Sequence, residues 1–196
     1  MYKRRRYTLN PILKEAIYSD LYRYTGNRSF KLYLKFYNNP GFKYMSILRK
    51  CKFYKSRKLY QLHYFFNKIK LRKLMYKYGY EIPSSTNIGD GFYIGHFGGI
   101  AINPEANIGK NVSISKGVTI GHANRGKHKG VPTIGNLVWI GTNAIIVGKV
   151  TIGNNVLIAP NAYVNFDVPD NSVVVGNPGK IIANEKATEG YIVYPV

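Results

Sequence analysis

The sequence predicts a mainly β fold, a parallel β-solenoid with an α-helical region on its N-terminal side, and two observations predict it. Aliphatic residues recur every six positions in the second part of the chain. The stretch "IGNLVWIGTNAIIVGKVTIGNNVLIAPNAYV" places them at Ile134, Ile140, Ile146, Ile152, Ile158 and Val164. The charge divides the chain in a matching way: residues 1–80 hold 21 Lys and Arg against Glu15 and Asp20, whereas residues 81–196 hold 8 against 7 acidic residues. A helix repeats near 3.6 residues and a strand at 2, so a period of six belongs to neither alone. It fits a coil of short strands joined by tight corners, each strand turning one residue inward. A single unit cannot bury its isoleucine, but units stacked about 4.8 Å apart can.

The helical region comes first. "NPILKEAIYSDLYRYTG" (10–26) has an Asn cap, Pro at the first helical position and Gly after the end. Its apolar face is expected to be Ile12, Leu13, Ala16, Ile17 and Leu21. "NPGFKYMSILRKCKFY" (39–54) restarts a helix with Phe42, Met45, Leu48 and Phe53 as candidate core, and a third helix is expected over 57–78, ending at Gly79. His63 reads as packing among the aromatics of that stretch. From Glu81 the period of six takes over at Ile82, Ile88, Ile94 and Ile100, slips by two, and resumes at Ile102, Ile108, Ile114 and Ile120. A second interruption, residues 121–133, precedes the run from Ile134. The expected organisation is therefore a basic, Tyr-rich helical region (1–80), a solenoid (81–182) and a tail (183–196).

Composition narrows the function classes. One cysteine, Cys51, excludes an internal disulfide framework and fits a reducing compartment. The N-terminal basic cluster is not followed by an apolar run of signal-peptide length, and no stretch is apolar enough to span a membrane, so a cytoplasmic protein, soluble or peripheral, is expected. The 14 tyrosines among the 21 basic residues of the helical region suit either an anionic bilayer surface or a merely solvated face. Nucleic acid is not expected, because no binding motif accompanies the charge. No Cys/His spacing suggests a metal, and no Gly-x-Ser-x-Gly suggests a serine nucleophile.

From about Gly41 to Ile182 the chain resembles the hexapeptide-repeat acetyltransferases, specifically their serine acetyltransferase-like branch. The resemblance is carried by "IPSSTNIGDGFYIGH", "INPEANIGKNVSISKGVTIG", "PTIGNLVWIGTNAIIVG" and the closing "DVPDNSVVVGNPGKII". It implies a left-handed parallel β-helix, a homotrimer with active sites between subunits, and a protruding loop at 121–133. It implies His96 in "YIGHFGG" as general base for direct attack of a hydroxyl on acetyl-CoA, with Glu81, fifteen residues upstream, at the position of the family's orienting aspartate. It also implies an acetyl-CoA groove held by corner residues His122, Ala123, Thr142 and Pro160, with Lys180 near the CoA phosphates. On the residues alone, His96 is equally an exposed corner residue and Lys180 an ordinary surface lysine.

Some positions depart from the resemblance. Gly95 stands where the serine acetyltransferases have an aspartate, Gly130 and Val131 where their loop has Arg-His, and Phe30 aligns roughly with a further aspartate. A buried zwitterion without charged partners is costly. The expectation from these departures is a saccharide hydroxyl acceptor, as in capsule or exopolysaccharide O-acetylation. Serine O-acetylation in cysteine synthesis and a non-catalytic trimeric scaffold stand as the alternatives.

Overall fold

The computed structural model describes residues 10–196; the basic cluster at 3–6 lies outside them. Helix α1 (Pro11–Thr25) starts where the Asn10 side chain accepts the Ile12 N–H and stops at Gly26, whose φ of 64° is left-handed. Helix α3 (Pro40–Lys55) begins the same way, Asn39 accepting the Phe42 N–H. Between them lies α2 (Phe30–Phe36), a seven-residue helix capped by Ser29 and not expected from the sequence. The expected third helix is a 3₁₀ turn (Lys58–Tyr60) followed by α4 (Gln61–Tyr78), which ends at Gly79.

The expected apolar face of α1 is partly corrected. Leu13, Ile17 and Leu21 are buried against Phe42, but Ile12 is 69% exposed. It sits in the first turn, on the rim of a shallow cavity shared with Lys52 and Phe53 of α3. Phe53 is only half-buried, with the Arg57 guanidinium 3.6 Å from its ring centroid. His63 is exposed, lying beside the Tyr54 ring rather than in a core.

The period of six folds as predicted, into a parallel β-helix with three faces. The first face stacks β1 (Tyr80–Glu81), β4 (Ile100–Ile102), β7 (Thr119–Gly121), β10 (Ile145–Val147) and β13 (Tyr163–Val164). The second stacks β2 (Asn87–Ile88), β5 (Asn107–Ile108), β8 (Thr133–Ile134) and β11 (Thr151–Ile152). The third stacks β3 (Tyr93–Ile94), β6 (Ser113–Ile114), β9 (Val138–Ile140), β12 (Val156–Ile158), β14 (Ser172–Val175) and β15 (Lys180–Ala183). Register puts like on like: Ile88, Ile108, Ile134 and Ile152 form one buried column, and Ile94, Ile114, Ile140 and Ile158 another. Each such isoleucine contributes about 1.5–3 kcal/mol by leaving water. The corners take left-handed backbone at Asn111, Asn143, Asn155, Asn161 and Asn171, a conformation asparagine tolerates better than most residues. At Gly117 a side chain is disfavoured: φ is 73°, and an added Cβ would displace the Asn143 side chain stacked on it.

The helices cap the first coil, whose strands would otherwise offer unpaired backbone groups. Tyr44 donates to the Ile82 carbonyl, and Ile94 N–H donates to the Tyr24 hydroxyl. Arg49 donates to the carbonyls of Ile88 and Gly89, while Nε and Nη2 of the same side chain grip Asp20 at 2.9 Å each. Asp20 also accepts the Phe92 N–H. Burial pushes the Asp20 carboxyl up from its ordinary value, and the guanidinium and the Phe92 amide pull it back. At the far end β15 turns back antiparallel on β14. Residues 184–196 then run along the third face toward the helices: Tyr191 packs on Trp139, Val193 accepts from Arg23, and Val196 exchanges hydrogen bonds with Asn111.

Candidate active site

The site is built where the period of six fails. Along the inward columns, the step from the third face to the first is six residues at Ile114–Ile120, Ile140–Ile146 and Ile158–Val164, but eight at Ile94–Ile102. The longer corner is His96-Phe97-Gly98-Gly99 with its flanks, and Gly98 and Gly99 have φ of 111° and 63°. That corner is seated against the end of α4: a Cβ added at Gly79 would come within 3.0 Å of the Gly99 amide nitrogen, and Ile100 N–H donates to the Gly79 carbonyl. The helix end can approach so closely because Gly79, at φ 67°, carries no side chain. The second failure is the step out of the first face, fourteen residues at Ile120–Ile134. It forms a short hairpin loop closed by paired hydrogen bonds between Ala123 and Gly130, and held to the next coil by Lys149 N–H on the His128 carbonyl.

The two failures stand on opposite sides of the first face, and the clefts on that face lie between them. One cleft, about 520 Å³, is lined by Met75, Tyr76, Gly79, Tyr80, Glu81 and the Gly99–Ala101 backbone segment. The next, about 220 Å³, runs on from Glu81 over Pro83, Ala101 and Thr119 to Gly121, at the foot of the loop. Glu81 lines both. Its outward position follows from the strand alternation, since Tyr80 before it and Ile82 after it are buried. His96 is exposed three residues before Gly99 and lines neither cleft, with Phe97 exposed next to it. Among the described residues no hydrogen bond joins the His96 ring to the Glu81 carboxylate. The structure places Glu81 on the first strand of the first face and His96 in the corner that leads into the next strand of that face.

The other expected site residues fall on the two edges of that face. Thr142 and Pro160 follow β9 and β12 on the edge entering it, with Asn161 N–H donating to the Thr142 carbonyl. Lys180 lies after β14 on the same side, at the start of β15. His122 and Ala123 follow β7 on the edge leaving it. The main chain of Ala123 is engaged with Gly130, and Asn124 Oδ1 lies 2.7 Å from His122 Nδ1. The loop is basic throughout, with Arg125, Lys127 and Lys129 and no acidic residue. Among the described residues no group of three His, Cys, Asp or Glu could hold a metal ion. The last turn of α4, which brings Met75 and the exposed Tyr76 to the first cleft, is what sequence reasoning missed. Gly79 was the available signal, because a helix stop directly before the first strand leaves the last helical turn leaning on that strand.

Fold and repeat together define a hexapeptide-repeat β-helix domain. Residues 132–165 match the protein family described as bacterial transferase hexapeptide (six repeats). Over 108 residues the chain is 38% identical to a serine acetyltransferase of Helicobacter pylori, a match that covers 55% of this chain and 63% of the relative. The chain thus spans less than two thirds of the length of the curated relatives it matches. The serine acetyltransferase of Neisseria gonorrhoeae superposes with a TM-score of 0.70 at 28% identity, over 88% of this chain and 67% of that one. The Brucella abortus serine acetyltransferase solved in complex with coenzyme A shares the fold, with a TM-score of 0.73 at 24% identity over 89% of this chain and 69% of that one.

These relatives overturn the saccharide acceptor expected from the sequence, and with it the capsule or exopolysaccharide character. That expectation rested on Gly95, Gly130, Val131 and Phe30, positions in corners, a loop and a helix start. Such positions vary among relatives more readily than the strands they join. The similarity to the Helicobacter pylori serine acetyltransferase extends over 108 residues, 55% of this chain.

Proposed function

We infer that the protein is an acetyl-CoA-dependent O-acetyltransferase of the serine acetyltransferase kind, with L-serine as acceptor. The observation that carries this reading is the placement of Glu81 in clefts flanked by the two breaks in the repeat, one bearing His96 and the other the basic loop, in a chain whose relatives are serine acetyltransferases. The acceptor hydroxyl attacks the thioester carbonyl as His96 takes its proton, and the tetrahedral adduct then expels CoA as thiolate, which recovers that proton. General-base assistance of this type contributes about 10²–10⁴-fold. Glu81 acts on the imidazole as a positioning residue and favours the imidazolium formed in the transition state. The edge residues Thr142, Pro160 and Lys180, with His122 and Ala123 across the face, border the path for the CoA arm. Arg125, Lys127 and Lys129 offer cations to its phosphates. The domain works as a homotrimer in which a neighbouring copy closes the open side of this face.

The test is release of CoA from acetyl-CoA and L-serine, followed with a thiol reagent. Cys51 is buried and burial pushes its thiol up to about 11, so the folded protein adds little background. Steady turnover with L-serine is expected. Binding of acetyl-CoA without any turnover of L-serine would overturn the acceptor assignment, and failure to bind acetyl-CoA would leave only the scaffold.

A further inference from the structure

Helix α4 carries apolar residues on two opposite faces. One is accounted for: Leu71 and Leu74 are buried, and Tyr64, Met75 and Tyr78 pack against the same core. The other faces outward. Leu62, Ile69 and Tyr76 recur every seven residues, and Phe65 and Phe66 flank them on the same side. Their exposures are 72%, 40%, 71%, 57% and 66% in that order, and Leu59 in the preceding turn is 95% exposed. The series ends at Tyr76, on the wall of the first cleft, so the remainder of the stripe lies away from the chemistry.

Cations border this stripe. At 100° per residue, Lys68 and Arg72 fall along one side of it and Lys70 and Lys77 along the other, with Lys73 within it. From Asn27 to Tyr80 there are 15 Lys and Arg and no acidic residue. That composition decides what the stripe can meet. A second copy laid face to face would set this belt against its own like charge with no acid between them, an unfavourable juxtaposition. A surface of anionic headgroups over acyl chains supplies both what the cations lack and what the phenylalanines lack. No helix among the described residues is long and apolar enough to cross a membrane, so the arrangement lies on a surface rather than through it.

We propose that the outward face of α4, centred on Leu62, Phe65, Phe66 and Ile69 and bordered by Lys68, Lys70, Arg72 and Lys77, docks the protein on an anionic bilayer. The assignment is independent of the acceptor and of turnover. It specifies an in-plane helix with its phenylalanines among the acyl chains and its lysines at the phosphates.

The experiment is co-sedimentation of the full-length protein with phosphatidylcholine vesicles, and with vesicles containing about a quarter phosphatidylglycerol. Binding to the anionic vesicles is expected, weakening as salt shortens the screening length toward about 3 Å at 1 M. The double variant Phe65→Ser/Phe66→Ser should lose at least about tenfold of that affinity, because the apolar contribution goes while every charge stays. Both side chains are exposed, so its thermal melting and turnover should match the parent protein. A second variant, Phe66→Trp, should be quenched by brominated acyl chains when bound, against the constant signal of Trp139. Any of four results would overturn the proposal: no binding at low salt, undiminished binding of the double variant, an unquenched Trp on bound protein, or dissociation of the parent oligomer by the double variant. The last would make this face a contact between copies.

Discussion

His96 owes its position to two residues that the repeat does not require. Without the extra pair in the Ile94–Ile102 step, that corner would be as tight as the others and α4 could not end against it. Glu81 is held by different means, through its place in β1 between the buried Tyr80 and Ile82. The two side chains are therefore positioned by separate elements, and the consequences of altering them separate as well. His96→Ala is expected to lower kcat by at least about 10²-fold with folding intact, since the side chain is exposed. Glu81→Gln should cost less, because it keeps an acceptor for the imidazole N–H and loses only the charge. Steady-state kinetics on both variants check this, and a Glu81→Gln loss equal to that of His96→Ala would show that the carboxylate does more than position the base.

Among the elements, the strands contribute unequally to stability in a way the register predicts. Ile146 is fully buried between Ile120 and Val164 in the column of the first face. Ile146→Ala leaves a cavity that stacked coils cannot collapse into, and should cost about 2–5 kcal/mol. Ile12→Ala, at an exposed helix start, should change stability by less than about 0.5 kcal/mol. Urea unfolding of the two variants distinguishes them. The same contrast explains which elements are legible in the sequence. Inward positions of the β-helix admit only apolar residues, so the columns are written plainly in the chain, as are the Asn-Pro starts of α1 and α3 and the Gly stops of α1 and α4. The short α2 has one cap and no sustained periodicity to announce it. The pairing of Asp20 with Arg49 joins residues 29 apart in a run of cations, and nothing local marks which arginine will turn inward. His96 and Glu81 are singled out in the sequence only through the family resemblance, because on spacing alone one is an exposed corner residue and the other a solvated carboxylate. The acceptor is not legible, because it depends on a handful of surface positions whose partners come from elsewhere in the fold.

For the whole molecule, the open side of the first face sets the expected assembly. Of the two clefts that hold Glu81, the first is walled by the end of α4 and the second is lined by the strands of the first face and their corners, and both are open on their outer side. A neighbouring copy packed along that side would complete them, and a trimer closes such a head-to-tail contact without leaving a free surface. Sedimentation equilibrium should therefore give three times the monomer mass at concentrations where turnover is measured. A monomer with full activity would show that one chain suffices.

The capping of the first coil by the helices, and the return of β15 along β14, have a further consequence for the molecule in a crowded solution. A stack of parallel strands repeating every coil is the geometry of a fibril, and bare ends would recruit further chains, each adding its strands to the last. Here Tyr44, Arg49 and Tyr24 occupy the backbone groups at one end, and an antiparallel hairpin with its outward-facing side chains covers the third face at the other. The protein thus holds a short length of fibre-like structure that is terminated at its helical end and along one face of the other, so that growth by strand addition has no continuous template from which to begin.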